Sequence, residues 1–178
     1  MFKMILSDKD IREEIASGSL ILDPLSDDTI RENGVDLRIG DEIMRFNKIE
    51  APVNISEKES LEKVYLRESP KESFILGKNE RILVKIKERV TIPDYIVGFC
   101  NLRSTFARLG VSIPPTIVDA GFSGYLTILI IGGGVPIELV TGTRFLHLVL
   151  SRTQTKVESP YAGKYQKSGG VTGAKGLN

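Results

Sequence analysis

The stretch TIVDAGFSGYLTILI, residues 116–130, sets one carboxylate, one aromatic ring and two glycines ahead of a run of apolar and β-branched residues. By residue type, Asp119 reads as the start of a tight turn, because an Asp side chain can hydrogen-bond its own backbone two residues on. Phe122 reads as core. A second stretch, RSTFARLG at 103–110, offers the guanidinium forks of Arg103 and Arg108 together with the hydroxyls of Ser104 and Thr105 near a helix start. That set suits phosphate oxygens; it also suits an ordinary salt-bridged helix. From Arg152 onward five basic residues face the single acid Glu158, so the C-terminal segment has the charge of an anion grip.

Other chemistries are closed by composition. Cys100 and His147 are the one cysteine and the one histidine, too few for a Cys/His zinc site, so a divalent cation here must be held by oxygen. GGVTGAK lacks the spacing of a phosphate-binding loop and has no helix after it, and the glycines at 132–134 lead into Val135 and Pro136 rather than a dinucleotide-binding helix. No Ser/His/Asp set is evident by spacing. A formal net charge of +1 argues against a general nucleic-acid surface. No apolar run is long enough to cross a bilayer, which gives the expectation of a cytoplasmic protein with no membrane partner.

The residues above need a frame to hold them. In ILSDKDIREEIASGSL, Ser7 and Asp10 have capping-box spacing, Ile11 and Ile15 share a face, and Gly18 stops the helix. GVDLRIGDEIMRF and RILVKIKERVTI alternate apolar and charged residues as half-buried strands do, and YIVGFC, YLTILII, PIELV and RFLHLVLS continue the pattern, with the glycines at 132–134 as a hairpin turn. RSTFARLG predicts a second short helix, with Phe106 and Leu109 on one face and Gly110 as its end. Residues 50–72 are charged and sparsely apolar and predict an exposed loop. Residues 1–160 form the expected domain, preceded by a loose Met1–Lys3 extension, and the glycine-rich 161–178 segment is expected to be a flexible tail.

Taken together, GVDLRIG, RSTFARLG, IVDAGFSG and the basic tail resemble, in order and texture, the superfamily of trimeric dUTP nucleotidohydrolases and dCTP deaminases, most closely an archaeal dUTPase branch of the deaminase family. The resemblance spans nearly the whole chain from Met4. It implies a mainly β, distorted β-barrel of the β-clip kind with short helices, a homotrimer, and active sites at subunit interfaces closed by the tail. It further implies that Asp119 holds the deoxyribose 3′-hydroxyl or the attacking water, and that Phe122 packs on the sugar. Arg103, Ser104, Thr105 and Arg108 would bind phosphates, backbone groups around Thr127 would read the base, and Tyr161, Lys164 and Gln166 would serve in the tail. Asp36 matches an acid that helps hold the water shell of Mg²⁺ in the hydrolases, or else a structural acid of the barrel.

Within that superfamily the two chemistries differ at one position. The zinc-independent deaminases resemble one another in carrying a glutamate ten residues after the Asp, where this chain has Leu129. Leucine cannot move a proton to a pyrimidine, and Glu138, the next carboxylate, is expected to face solvent on another strand. The expected substrate is therefore dUTP, converted to dUMP and pyrophosphate, with dCTP deamination as the alternative and a nucleotide-binding sensor without turnover as a third reading. His147 is expected to be structural.

Overall fold

The computed structural model describes residues 4–177, so the Met1–Lys3 extension lies outside the described residues. The chain opens with α1 (Asp8–Ala16), capped as expected: the Asp10 N–H donates to Ser7 Oγ at 3.3 Å and the Ser7 N–H to Asp10 Oδ2 at 3.2 Å. Ile11 is buried, Ile15 packs against the core, and Gly18, at φ +76°, turns the chain out of the helix.

Strands dominate the rest of the chain. β1 (Ile21–Asp23) and β2 (Ile30–Arg31) precede β3 (Gly34–Phe46), and α2 (Lys58–Glu62) precedes β4 (Tyr65–Glu68), β5 (Ser73–Leu76), β6 (Arg81–Thr91) and β7 (Ile96–Leu102). After α3 (Ser104–Arg108) come β8 (Thr116–Val118), β9 (Ser123–Ile131), β10 (Ile137–Val140) and β11 (Arg144–Arg152). Every pairing is antiparallel. The main sheet runs β1-β6-β3-β11-β7-β8, with β2 and β4 on β3 and β9 on β6, and β10 with β5 forms a separate pair.

The 13-residue strand β3 makes the curl. Its first half pairs with β11 and its second half with β4 and β6, and the register breaks between Ile39 and Ile43. Such a break bends a strand and increases its twist. Val35, Leu37, Ile39, Ile43, Val84, Ile86, Phe145 and Leu148 fill the interior of the resulting mainly β half-barrel. Among the described residues no helix is long and apolar enough to cross a membrane.

Four local expectations are corrected. Residues 132–134 do not close a hairpin, because β10 pairs with β5 rather than β9, and the Gly132 N–H donates to Glu80 O at 2.8 Å on the way between sheets. Residues 50–72 are mostly exposed, as expected of a loop or excursion, but they contain α2 and β4, held by the buried Leu61 and by pairing to β3. Leu109 is 43% exposed and does not share the inward face of Phe106, since α3 ends at Arg108. The first two charged positions of β3 do not face water either: Asp36 and Arg38 are both buried, with partners distant in sequence.

Candidate active site

The predicted residues collect on two surfaces. The first is a cleft of about 470 Å³ walled by residues 116–122, β9 and the C-terminal tail. Buried Val118 ends β8, and the chain turns there: the Phe122 N–H donates to Asp119 O at 3.1 Å, while the Gly121 N–H reaches Ile92 O and Pro93 O, each at 3.2 Å. The main chain of Asp119 thus makes the turn, and its side chain is left exposed on the cleft wall, without an ion pair to a described residue. Phe122 is buried beside it, its ring tilted against Tyr161 with centroids 5.9 Å apart.

Strand β9 alternates strictly. Leu126, Ile128 and Ile130 are buried and Tyr125, Thr127 and Leu129 half-buried, these last three lining the cleft together with Leu126. Leu129 lies opposite Leu83 of β6, which lines the same cleft, so the site ten residues after Asp119 is apolar on both strands. Among the described residues that line the cleft, Asp119 is the one carboxylate. Glu138 is on β10, in the separate sheet, accepting from Ser73 Oγ at 2.6 Å.

The tail lies along β9. The Lys167 N–H donates to Ser123 O at 2.7 Å and the Tyr125 N–H to Ser168 O at 3.1 Å, a short strand-like pairing. Gly121 and Gly124, at φ +89° and +150°, permit this approach: a Cβ on either would stand 2.6 Å from Pro160 Cβ or 2.9 Å from the Ser168 nitrogen. Gln166, expected to serve in the tail, staples it to the turn after Asp119. Its Nε2 donates to Gly121 O and Tyr161 O at 2.8 Å, and its Oε1 accepts from the Ser123 N–H at 2.8 Å, so its amide is engaged on both sides. Thr127 Oγ1 likewise accepts from the Thr172 N–H at 3.0 Å. Val171 is buried, with its N–H on Glu42 and its carbonyl on Arg67.

Glu42 belongs to a charged knot with Lys85 and Asp41. Lys85 Nζ stands 2.6 Å from Glu42, 2.9 Å from Asp41 and 5.2 Å from the centroid of the Tyr125 ring. Burial works against the Lys85 charge, but the hydrogen bonds and charges of Glu42 and Asp41 outweigh it and hold the ammonium above its ordinary pKa. Burial also opposes the Glu42 charge; the Lys85 and Val171 hydrogen bonds outweigh it and hold the carboxyl below the usual range. The Lys85 hydrogen bond lowers Asp41 in the same way.

The second surface is a shallow pocket of about 400 Å³ that contains Arg31, Asp36, Arg103, Ser104 and His147. Asp36, 2% exposed on β3, is its anchor. Oδ1 meets His147 Nδ1 at 2.9 Å, and Oδ2 faces Arg103 Nε at 3.3 Å, Arg144 Nη1 at 3.5 Å and Arg31 Nε at 4.0 Å. Strand order explains the meeting, since β3 pairs with β11, which brings His147 opposite Asp36, and β7 delivers Arg103 from β11's other edge. Held through Nε, Arg103 keeps both Nη groups for an oxyanion. Thr105 and Arg108 are exposed on α3 and line neither surface. Lys164 is exposed at a third cleft, of about 660 Å³, beside Lys58, Arg67 and Lys175.

Asp36 does not fit the expected place at the edge of a magnesium water shell, because both of its oxygens already face cationic or ring-nitrogen partners. Among the described residues no group of three His, Cys, Asp or Glu side chains could hold a metal ion. Cys100 offers no nucleophile: it is buried, and burial pushes its thiol up to about 12. Replacing Asp36 by Asn is expected to release Arg103 and weaken binding of inorganic triphosphate roughly tenfold, measured by calorimetry. Unchanged affinity would mean that Arg103 is held without Asp36.

Sequence reasoning missed Tyr65, Leu83, Tyr125 and Thr172 as cleft residues. The alternation of β9 contained the signal for Tyr125, which shares a face with Thr127. Tyr65 had none, being set in a charged segment.

The dCTP deaminase-like family matches residues 5–153. A probable deoxyuridine 5′-triphosphate nucleotidohydrolase of Sulfolobus islandicus rod-shaped virus 1 is 53% identical over 172 residues, 97% of this chain and 99% of that protein. A dCTP deaminase of Acidianus ambivalens is 48% identical over 169 residues, 95% and 96% of the two chains. Among solved structures, the 2′-deoxycytidine 5′-triphosphate deaminase of Agrobacterium tumefaciens superposes with a TM-score of 0.70 at 20% identity, covering 86% of this chain and 48% of that one, a likeness of fold.

Proposed function

Because the chain belongs to the dCTP deaminase-like family, an enzyme family of deoxynucleoside triphosphates, we propose that it hydrolyses dUTP to dUMP and pyrophosphate. One observation carries the choice: Leu129 faces the cleft beside Asp119, opposite Leu83, leaving Asp119 as the single lining carboxylate. One acid can orient a water for attack on phosphorus. Deamination also needs a group that delivers a proton to the pyrimidine ring, and leucine has none to give.

In this reading the sugar rests by Phe122 and Tyr161, and the base lies toward Thr127 and Tyr125. Asp119 holds the 3′-hydroxyl or the water. A carboxylate is a weak base for water, so most of the rate comes from fixing the attack geometry and from cationic groups on the developing phosphoryl charge. Arg103 and Ser104 supply those groups, with Thr105 and Arg108 on the same helix and Lys164 from the tail. Within one chain the arginine pocket and the Asp119 cleft have no lining residue in common. That division supports a homotrimer in which one subunit's Arg103 pocket completes its neighbour's cleft. Magnesium belongs, in this reading, to the incoming triphosphate.

Deamination of dCTP is the second reading, and the names of the relatives weigh more on its side: dCTP deaminases of Metallosphaera sedula and Hyperthermus butylicus, at 46% and 49% identity, join the one from Acidianus. The test is to incubate the protein with dUTP and with dCTP, with and without Mg²⁺, and follow pyrophosphate and ammonia together. Pyrophosphate from dUTP with no ammonia from dCTP is expected. Ammonia from dCTP would replace the first reading with the second, and dUTP binding without any product would favour a sensor.

A further inference from the structure

We propose that Tyr65, with the segment 55–65 that leads to it, is the seat that positions the end of the C-terminal tail at the nucleotide cleft, making Tyr65 a positioning residue for substrate binding. The proposal rests on the dUTP reading for its ligand, and on contacts alone for the seat.

Tyr65 starts β4 opposite Phe46 of β3, and the two rings pack at 5.3 Å between centroids, which fixes the phenol on the sheet. Its hydroxyl accepts the Ala174 N–H at 3.2 Å. Gly173 lies against the ring face so closely that a Cβ there would be 2.5 Å from Tyr65 Cε2. At Gly176 and Leu177 the same segment takes hold again, with the Leu177 N–H donating to Ile55 O at 3.3 Å and Gly176 within reach of Leu61 of α2. Leu61 is buried, so the segment has apolar footing of its own.

Of the earlier tail anchors, Gln166, Ser168 and Thr172 attach to the 121–127 stretch that also carries the cleft floor, and Val171 reaches Glu42 of β3 and Arg67 of β4. Tyr65 carries the β4 attachment on to the last residues of the tail. It also stands at a boundary, lining the Asp119 cleft on one side and the basic cleft of Lys58, Arg67, Lys164 and Lys175 on the other. Between Gly173 and Leu177 the tail's remaining bonds are internal, from the Lys175 N–H to Tyr165 Oη and from Lys175 Nζ to Lys164 O. Seating residues 173–177 on Tyr65 therefore sets where Lys164 and Lys175 stand relative to the triphosphate.

The experiment uses the full chain with Tyr65→Phe, Tyr65→Ala, Gly173→Val and the double variant Tyr65→Ala/Gly173→Val. Gly173→Val changes only the tail and leaves the barrel core as it is. Without nucleotide, trypsin cleavage after Lys175 should quicken about tenfold in Tyr65→Ala and in Gly173→Val, while cleavage after Lys164 and Lys167, which the earlier anchors hold, should change little. With dUTP, KM should rise roughly threefold in Tyr65→Phe, which loses one hydrogen bond, and about tenfold in Tyr65→Ala, with kcat within twofold. The double variant should be no worse than Tyr65→Ala, because the valine then meets no ring. Unchanged cleavage in both single variants would overturn the seat, and faster cleavage with unchanged KM would overturn its role in binding. The cleavage arm does not require turnover, so failure of the dUTP reading registers separately, as absence of product in the native protein.

Discussion

Replacing Asp119 by Asn is expected to lower kcat for dUTP by about 100-fold or more while changing dUTP affinity less than about threefold. The asymmetry comes from the residue's two roles in the fold. Its backbone carbonyl closes the turn to Phe122, a bond that asparagine preserves, and its side chain has no ion pair to a described residue whose loss would disturb the cleft. The amide keeps the shape and most hydrogen bonding but no longer accepts a proton or orients water with a full negative charge. Steady-state turnover together with calorimetric binding of a non-hydrolysable dUTP analogue separates the two effects. Equal losses in binding and turnover would make Asp119 a sugar ligand only, and unchanged turnover would remove it from the chemistry.

The largest effect on stability is expected at Glu88→Ala, with a loss of about 3 kcal/mol or more in urea unfolding. Glu88 is fully buried, and it accepts Arg38 Nη1 at 2.8 Å and the Arg38 backbone N–H at 2.9 Å. Arg38 also donates to Thr29 Oγ1 at 3.1 Å and pairs with Asp28. Truncating Glu88 leaves a buried guanidinium without its main counter-charge, whereas the double variant Glu88→Leu/Arg38→Met removes both charges and should recover much of the loss. A single variant within about 1 kcal/mol of native would show that water or Asp28 compensates. The site should register the damage as well, since Arg144 lies opposite Arg38 across the β3–β11 pair and also reaches Asp36.

That charged layer also marks where reading from the sequence stops. Local signals carried well: Ser7 and Asp10 cap α1, Gly110 ends α3 at φ +79°, and β9 alternates so that Leu129 faces the cleft. Each depends on neighbours within a few residues. Asp36 and Arg38 fit a half-exposed strand in the same pattern, yet Glu88 and His147, 50 and 111 residues away, let them be buried. Periodicity cannot announce a distant counter-charge. Residues 50–72 failed for a related reason, because β4 is made by pairing with β3 and not by its own apolar content. The tail's composition does not announce its backbone bonds to β9, which glycine and serine make as well as any residue.

Those backbone bonds also guard solubility. β9 pairs with β6 on one side only, and its outer edge is covered by Lys167 and Ser168 at one end and by Ser112, bridged to Ile131, at the other. An uncovered strand edge is a template for the next molecule's strand. Residues 167 and 168 therefore act as a selvedge: the edge they cover carries hydrogen-bonding groups beside an apolar run, and a chain cut before them is expected to self-associate through sheet extension, as light scattering would read.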